Sequence, residues 1–67
     1  MNNDCKIIED MTMRILNGES VERVIPYHMD GFSEQCIFEM IALYVKYGDK
    51  SLPRYEKGLE YVRRANM

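Results

Sequence analysis

The chain has 67 residues, room for one small domain over 1–67 at roughly 100 to 200 residues per domain, and none for a bilobal enzyme. Hydrophobic residues make up 46% and charged residues 30%, which is ordinary globular usage and excludes a disordered acidic tail or a collagen-like repeat. Nine Lys and Arg against eleven Asp and Glu give a formal charge of −2, which argues against bulk affinity for nucleic acid or an anionic membrane.

That charge is unevenly spread. Residues 1–34 carry Lys6, Arg14 and Arg23 against seven acids, net −4, whereas residues 35–67 carry six bases against four acids, net +2, so an anion-binding surface is expected in the C-terminal half. Cys5 and Cys36 stand far apart with no CxxC, and His28 is the lone histidine, so the spacing of a structural zinc site is missing. Reduced cytosolic thiols are expected in preference to a Cys5–Cys36 bridge. The N-terminal Met-Asn-Asn-Asp-Cys-Lys has neither the basic region nor the apolar stretch of a signal peptide. The longest uncharged run, Met40 to Val45, falls well short of the ~20 residues a bilayer span requires. A soluble, cytoplasmic chain without a membrane contact is the expectation.

The first helix is predicted from about Asp4 to Leu16, where Cys5, Ile8, Met11 and Ile15 recur at helical spacing and Ile7 and Leu16 widen the face. Asn2, Asn3 and Asp4 are all suitable N-caps, and Asn17-Gly18 supplies a left-handed stop. A less regular helical piece is expected over Glu19 to Ile25, with Ser20 as cap and Val21, Val24 and Ile25 on one side. Pro26 ends or kinks it, or opens one further turn to Met29 before the Asp30-Gly31 turn.

The clearest pattern spans Ser33 to Tyr47: Ser33 is the cap, Glu34 faces the helix dipole, Phe32 and Ile37 are placed as a hydrophobic staple, and Gly48 closes the helix. Cys36, Ile37, Phe38, Met40, Ile41, Leu43, Tyr44, Val45 and Tyr47 cover an apolar arc of roughly 220°, leaving a wedge of Gln35, Glu39, Ala42 and Lys46. A helix packed on one neighbour needs a stripe of only about 100°. This one is therefore predicted to be central and covered on two sides, and self-association as a two-fold homodimer is the expected remedy for short flanking helices.

The last helix is predicted from about Leu52 to Asn66, with Ser51 as cap, Pro53 in the first turn and Leu52, Tyr55, Leu59 and Val62 as its buried stripe. Glu60 is placed to pair with Arg64, and Arg63 and Arg64 complement the dipole. Gly58 in mid-helix costs about 1 kcal/mol relative to alanine unless a close backbone crossing offsets it. The fold class is thus all-α, a small three- to four-helix bundle with a central, broadly apolar helix over 33–47. Its core is expected from Ile8, Met11, Ile15, Val24, Ile37, Met40, Ile41, Tyr44, Leu59 and Val62.

Catalytic chemistry is thin. His28 and Cys36 form an imaginable nucleophile pair, but a lone histidine near a turn is ordinarily a surface or capping residue. Asp30 and Glu34 have no EF-hand spacing, HExxH or second histidine beside them, and the four glycines are dispersed rather than gathered into a phosphate loop. No enzyme, metal or cofactor is expected. Residues 20–41 weakly resemble a helix-turn-helix, which makes a DNA-binding transcriptional regulator the alternative reading. The would-be recognition helix, however, opens with Ser33, Glu34, Gln35 and Glu39 and has no cation before Lys46, so phosphate contact would fall to Arg54, Lys57, Arg63 and Arg64.

Five tyrosines, six methionines and two phenylalanines are the remaining unusual feature, since such side chains serve cores and protein interfaces alike. Tyr61 lies roughly 120° or more from the centre of its helix's stripe, where the chain's own core should not reach it. Tyr27, His28, Phe32, Tyr47 and Tyr61 are the candidate partner-binding residues. In length, acidity and lack of catalytic apparatus the chain resembles in type the small helical proteins with which phages and other mobile elements block a host protein, anti-CRISPR proteins among them. That resemblance covers no particular stretch. It implies a non-enzymatic protein-binding regulator or inhibitor that occludes its target.

Overall fold

The structure, a computed structural model, describes residues 3–65, with side chains from Lys6 onward. The helices are α1 (Asn3–Leu16), α2 (Val21–Val24), α3 (Glu34–Tyr47) and α4 (Pro53–Ala65), and no strand occurs among the described residues. The all-α bundle is as expected. Asn2 as a cap, the side chains of Asn3 and Asp4, and the roles considered for Cys5 lie outside the described residues.

Local chemistry accounts for most helix ends. At the end of α1, Gly18 adopts φ 102°, the Glu19 amide donates to the Arg14 carbonyl at 3.0 Å and the Gly18 amide to Ile15 at 3.0 Å, the two bonds of a Schellman stop. Arg14 and Glu19 clasp across that turn through paired bonds of 2.9 and 2.8 Å, and the guanidinium holds the Glu19 carboxyl below its ordinary range. Ser33 accepts from the Cys36 amide at 3.1 Å, the predicted cap of α3.

Three expectations need correction. Residues 19–25 form only the single turn Val21–Val24, because the residue before Pro26 is forced into extended conformation (Ile25 φ −84°, ψ 121°), and Pro26 opens no further helical turn. Ser20 makes no side-chain cap bond and instead donates to Glu22 at 3.0 Å. α4 begins at Pro53, and the Ser51 hydroxyl does not cap it but donates to Asp49 Oδ1 at 2.7 Å, alongside the Ser51 amide at 2.9 Å.

α3 is the hub: α1, α2 and α4 all pack on it, and α1 and α4 do not meet. The molecule measures 33 × 30 × 19 Å, so its thin dimension is under two helix diameters of about 10–12 Å each. Ile15, Val21, Val24, Ile25, Cys36, Met40 and Tyr44 are buried. Four of these were expected. Val21, Ile25 and Cys36 displace Ile8, Met11, Ile37, Ile41, Leu59 and Val62, which are half-buried, because α2 closes over the Cys36–Met40–Tyr44 ridge of α3.

The predicted stripe of α4 is also corrected. None of its described residues is fully buried, and Leu52 is 37% exposed. The crossing is centred on Gly58, where a Cβ would stand 3.3 Å from Val45 Cγ2 and 3.4 Å from Ile41 Cγ2. The approach at the mid-helix glycine is thus tight, but its neighbours are side-chain methyls of α3 and not the backbone crossing that was expected. The inward face of α4 therefore takes in Arg54 and Gly58 beside the half-buried Tyr55, Leu59 and Val62 of the predicted stripe.

Candidate functional site

The irregular loop 25–33 exists because Pro26 stops α2 and Ser33 restarts the helix, and it lays Tyr27 and Met29 beside the first turn of α4. Arg54 in that turn donates through Nη2 to the Pro26 carbonyl at 2.6 Å, and its guanidinium carbon lies 4.8 Å from the ring centroid of Tyr27 and 4.8 Å from that of Tyr44. Each cation–ring contact contributes about 0.5–2 kcal/mol according to how far it is desolvated. Two rings and a carbonyl fix the guanidinium. Most of its N–H groups are left without a protein partner among the described residues.

Beside this clasp opens a groove of about 230 Å³ lined by Tyr27, Met29, Ile41, Tyr44, Arg54, Lys57, Gly58 and Tyr61. Gly58 makes the groove as well as the crossing, since it brings α4 close without filling the space between Arg54 and Tyr61. Tyr27 is 74% exposed and Tyr61 40% exposed, the latter leaning on Phe38 at 6.3 Å between ring centroids. Tyr61 therefore faces the α3 seam. As expected, the core does not cover it, and its ring contact with Phe38 is at the rim of that seam.

Tyr44 is almost completely buried, and its hydroxyl has no hydrogen-bond partner among the described residues. Burial, followed by the nearby Glu22 carboxylate, pushes its phenol above the ordinary value, so it is a neutral hydroxyl at physiological pH. Arg54 and Lys57 form no ion pair among the described residues, in contrast to Arg14 with Glu19 and Arg64 with Glu60. The groove thus joins an apolar floor to an uncompensated positive rim.

The structure brings Tyr27 and Tyr61 together with Arg54 and Lys57, residues that the sequence placed in two separate sets. His28 is exposed and stacks edge-on to Tyr27 at 5.5 Å. Phe32 packs half-buried against the core, and Tyr47 belongs to a different, shallower groove rimmed by Glu19, Glu22 and Asp49. Arg64 pairs with Glu60 at 2.9 Å, and Arg63 lies about 100° further around α4. Met29, Ile41 and Tyr44 were not among the candidate partner-binding residues, although Met29 and Tyr44 belong to the surplus of methionine and tyrosine in the sequence.

Other chemistry is not assembled. Cys36 is fully buried while His28 is exposed, and no group of three or more metal-ligating side chains occurs among the described residues. The helix-turn-helix spacing is not formed, since α2 has only four residues and loop 25–33 separates it from α3. Among the described residues, no helix is long and apolar enough to cross a membrane. No protein-family model matches the chain, and no curated protein or solved structure is similar to it.

Proposed function

We propose that the chain is a small non-enzymatic regulator or inhibitor that binds another protein in the cytoplasm and occludes it, in the manner of proteins carried by phages and other mobile elements. Its binding site is the groove between loop 25–33, α3 and α4. The observation that carries this reading is the pre-positioned, unpaired Arg54 beside an apolar groove walled by Tyr27 and Tyr61.

The groove's size and charge narrow the partner. At about 230 Å³ it is smaller than the ~300–1,000 Å³ of small-molecule and cofactor pockets, and suits one inserted side chain of a protein. A guanidinium held by rings offers its in-plane N–H edge, which matches a carboxylate. The favoured partner segment therefore carries an Asp, Glu or terminal carboxylate beside an apolar side chain. Tyr and Arg are also the residues in which interface binding energy concentrates.

Capture from the native host with tagged protein, with and without nuclease, tests the reading. Tyr27→Ala and Tyr61→Ala are each expected to weaken capture of the same protein by more than 1 kcal/mol, about fivefold or more, while the helical circular dichroism spectrum is retained. Recovery of nucleic acid alone, or of proteins only while nucleic acid is intact, would favour the DNA-binding alternative through Arg54, Lys57, Arg63 and Arg64.

A further inference from the structure

A second surface lies on α3 itself. Along the wedge of Gln35, Glu39, Ala42 and Lys46, Gln35 and Lys46 are exposed and Glu39 and Ala42 half-buried; Glu39, Ala42 and Lys46 line a shallow, mainly apolar depression with Phe38, Leu43 and Ile8 of α1. Ala42 sits at its centre. Glu39 and Lys46 lie on the same side of the helix seven positions apart, about 10 Å along the axis, and neither is in an ion pair among the described residues.

We propose that this face binds a second copy of the chain, with the two α3 helices antiparallel about a two-fold axis passing beside Ala42 and Leu43. The charge pattern selects that arrangement. Glu39 and Lys46 are equidistant in sequence from the Ala42–Leu43 midpoint, so the antiparallel two-fold sets each Glu39 beside the partner's Lys46. A parallel pairing would oppose like charges instead. The small side chain of Ala42 at the axis lets the two helices approach closely, while Phe38 and Leu43 flank the contact with apolar surface.

The chain presents 5122 Å², whereas a folded monomer of its mass is expected to present about 4,450 Å². The surplus, about 670 Å² summed over the whole chain, leaves surface for pairing on the scale of the ~1,200–2,000 Å² buried by a stable interface. The groove at Tyr27, Arg54 and Tyr61 lies on the other side of Phe38 and stays open in such a dimer, which displays two copies of it.

Sedimentation equilibrium on the full chain decides the matter. The wild type is expected to shift from 8.0 kDa toward twice that mass as concentration rises through the micromolar range. Glu39→Lys and Lys46→Glu are each expected to raise the dissociation constant about tenfold or more, and the double reversal E39K/K46E to restore it to within about threefold, because it rebuilds both pairs with signs exchanged. If either reversal lowers helicity by circular dichroism, Lys46→Gln takes its place with a smaller rise expected. A chain that stays monomeric to about 1 mM overturns the proposal. So does a dimer indifferent to the single reversals, or a double reversal that fails to rescue.

Discussion

α3 meets its neighbours along two seams of unlike construction. Toward α1 and α2, Cys36, Met40 and Tyr44 interlock with Ile15, Val21, Val24 and Ile25, all of them buried. Toward α4 the contact turns on a glycine, a clasped arginine and a leaning tyrosine, and no described residue of α4 is fully buried. The first seam holds most of the apolar burial that stabilises so small a chain. The second spends little surface on cohesion and leaves aromatic and cationic side chains at a groove, which fits the rule that binding elements come from the less stable parts of a fold.

Substitutions separate the two seams. Met40→Asp would place an unpaired charge in the centre of the first seam and is expected to unfold the domain outright, since that cost exceeds the ~3–5 kcal/mol a single small core supplies. Far-UV circular dichroism at 25 °C would show the loss of helix. Met40→Ala is the measured version, expected to cost about 2–5 kcal/mol in urea unfolding. Leu59→Ala, on the half-buried face of α4, is expected to cost about 1 kcal/mol or less by the same measurement. Equal losses at Met40 and Leu59 would erase the distinction between the seams.

Gly48 probes the junction of the two. Its amide donates to the Tyr44 carbonyl at 2.6 Å, and a Cβ there would collide with that oxygen and stand 3.0 Å from two Tyr44 ring carbons. Gly48→Ala is therefore expected to lose about 1–3 kcal/mol by forcing the end of α3 and the groove floor to shift. A neutral Gly48→Ala in thermal unfolding would show that Tyr44 is not held by this contact.

The smallest expected effect is on acid stability. Glu22 accepts from the Ser20 hydroxyl at 3.0 Å and the Asp49 amide at 3.3 Å, which ties α2 to the turn before α4. Hydrogen bonding, with its own backbone amide first, holds the Glu22 carboxyl below its ordinary value, and the Ser51 hydroxyl and amide do the same for Asp49. A carboxyl depressed in the folded state gives stability that is fully present above the unfolded value of about 4 and is lost as pH falls through the folded one. The melting temperature should accordingly fall below about pH 4, with a shallower decline in Glu22→Gln. Parallel declines in both proteins would remove Glu22 from the account.

Helix ends were legible in the sequence where one residue's chemistry decides them: Gly18 with its positive φ, Ser33 as a cap, Pro26 as a breaker. The central role of α3 was legible too, from the width of its apolar arc. The seam of α4 was legible in part: Tyr55, Leu59 and Val62 do turn half inward, but the place of Arg54 in the contact does not show in a count of apolar side chains. The crossing is centred on Gly58, which has no side chain to count, against the methyls of Ile41 and Val45. That crossing decides the site, since it sets Arg54 and Tyr61 at the groove beside Tyr27 and Tyr44. Val21 and Ile25 were passed over as core because α2 is too short to show a period, and Cys36 because the broad apolar arc of α3 does not say which of its sides a neighbour buries.

The central claim is that the second seam is a recognition groove with a seat for a carboxylate, and a nuclear magnetic resonance titration with 3-phenylpropionate tests it most directly. The amide resonances of Tyr27, Gly58 and Tyr61 are expected to shift saturably while those of Ile15, Val21 and Met40 stay still. The neutral 3-phenylpropanamide should bind about tenfold more weakly, and Lys57→Glu should reduce that preference. Equal binding of acid and amide, or shifts spread evenly over both seams, would contradict the account.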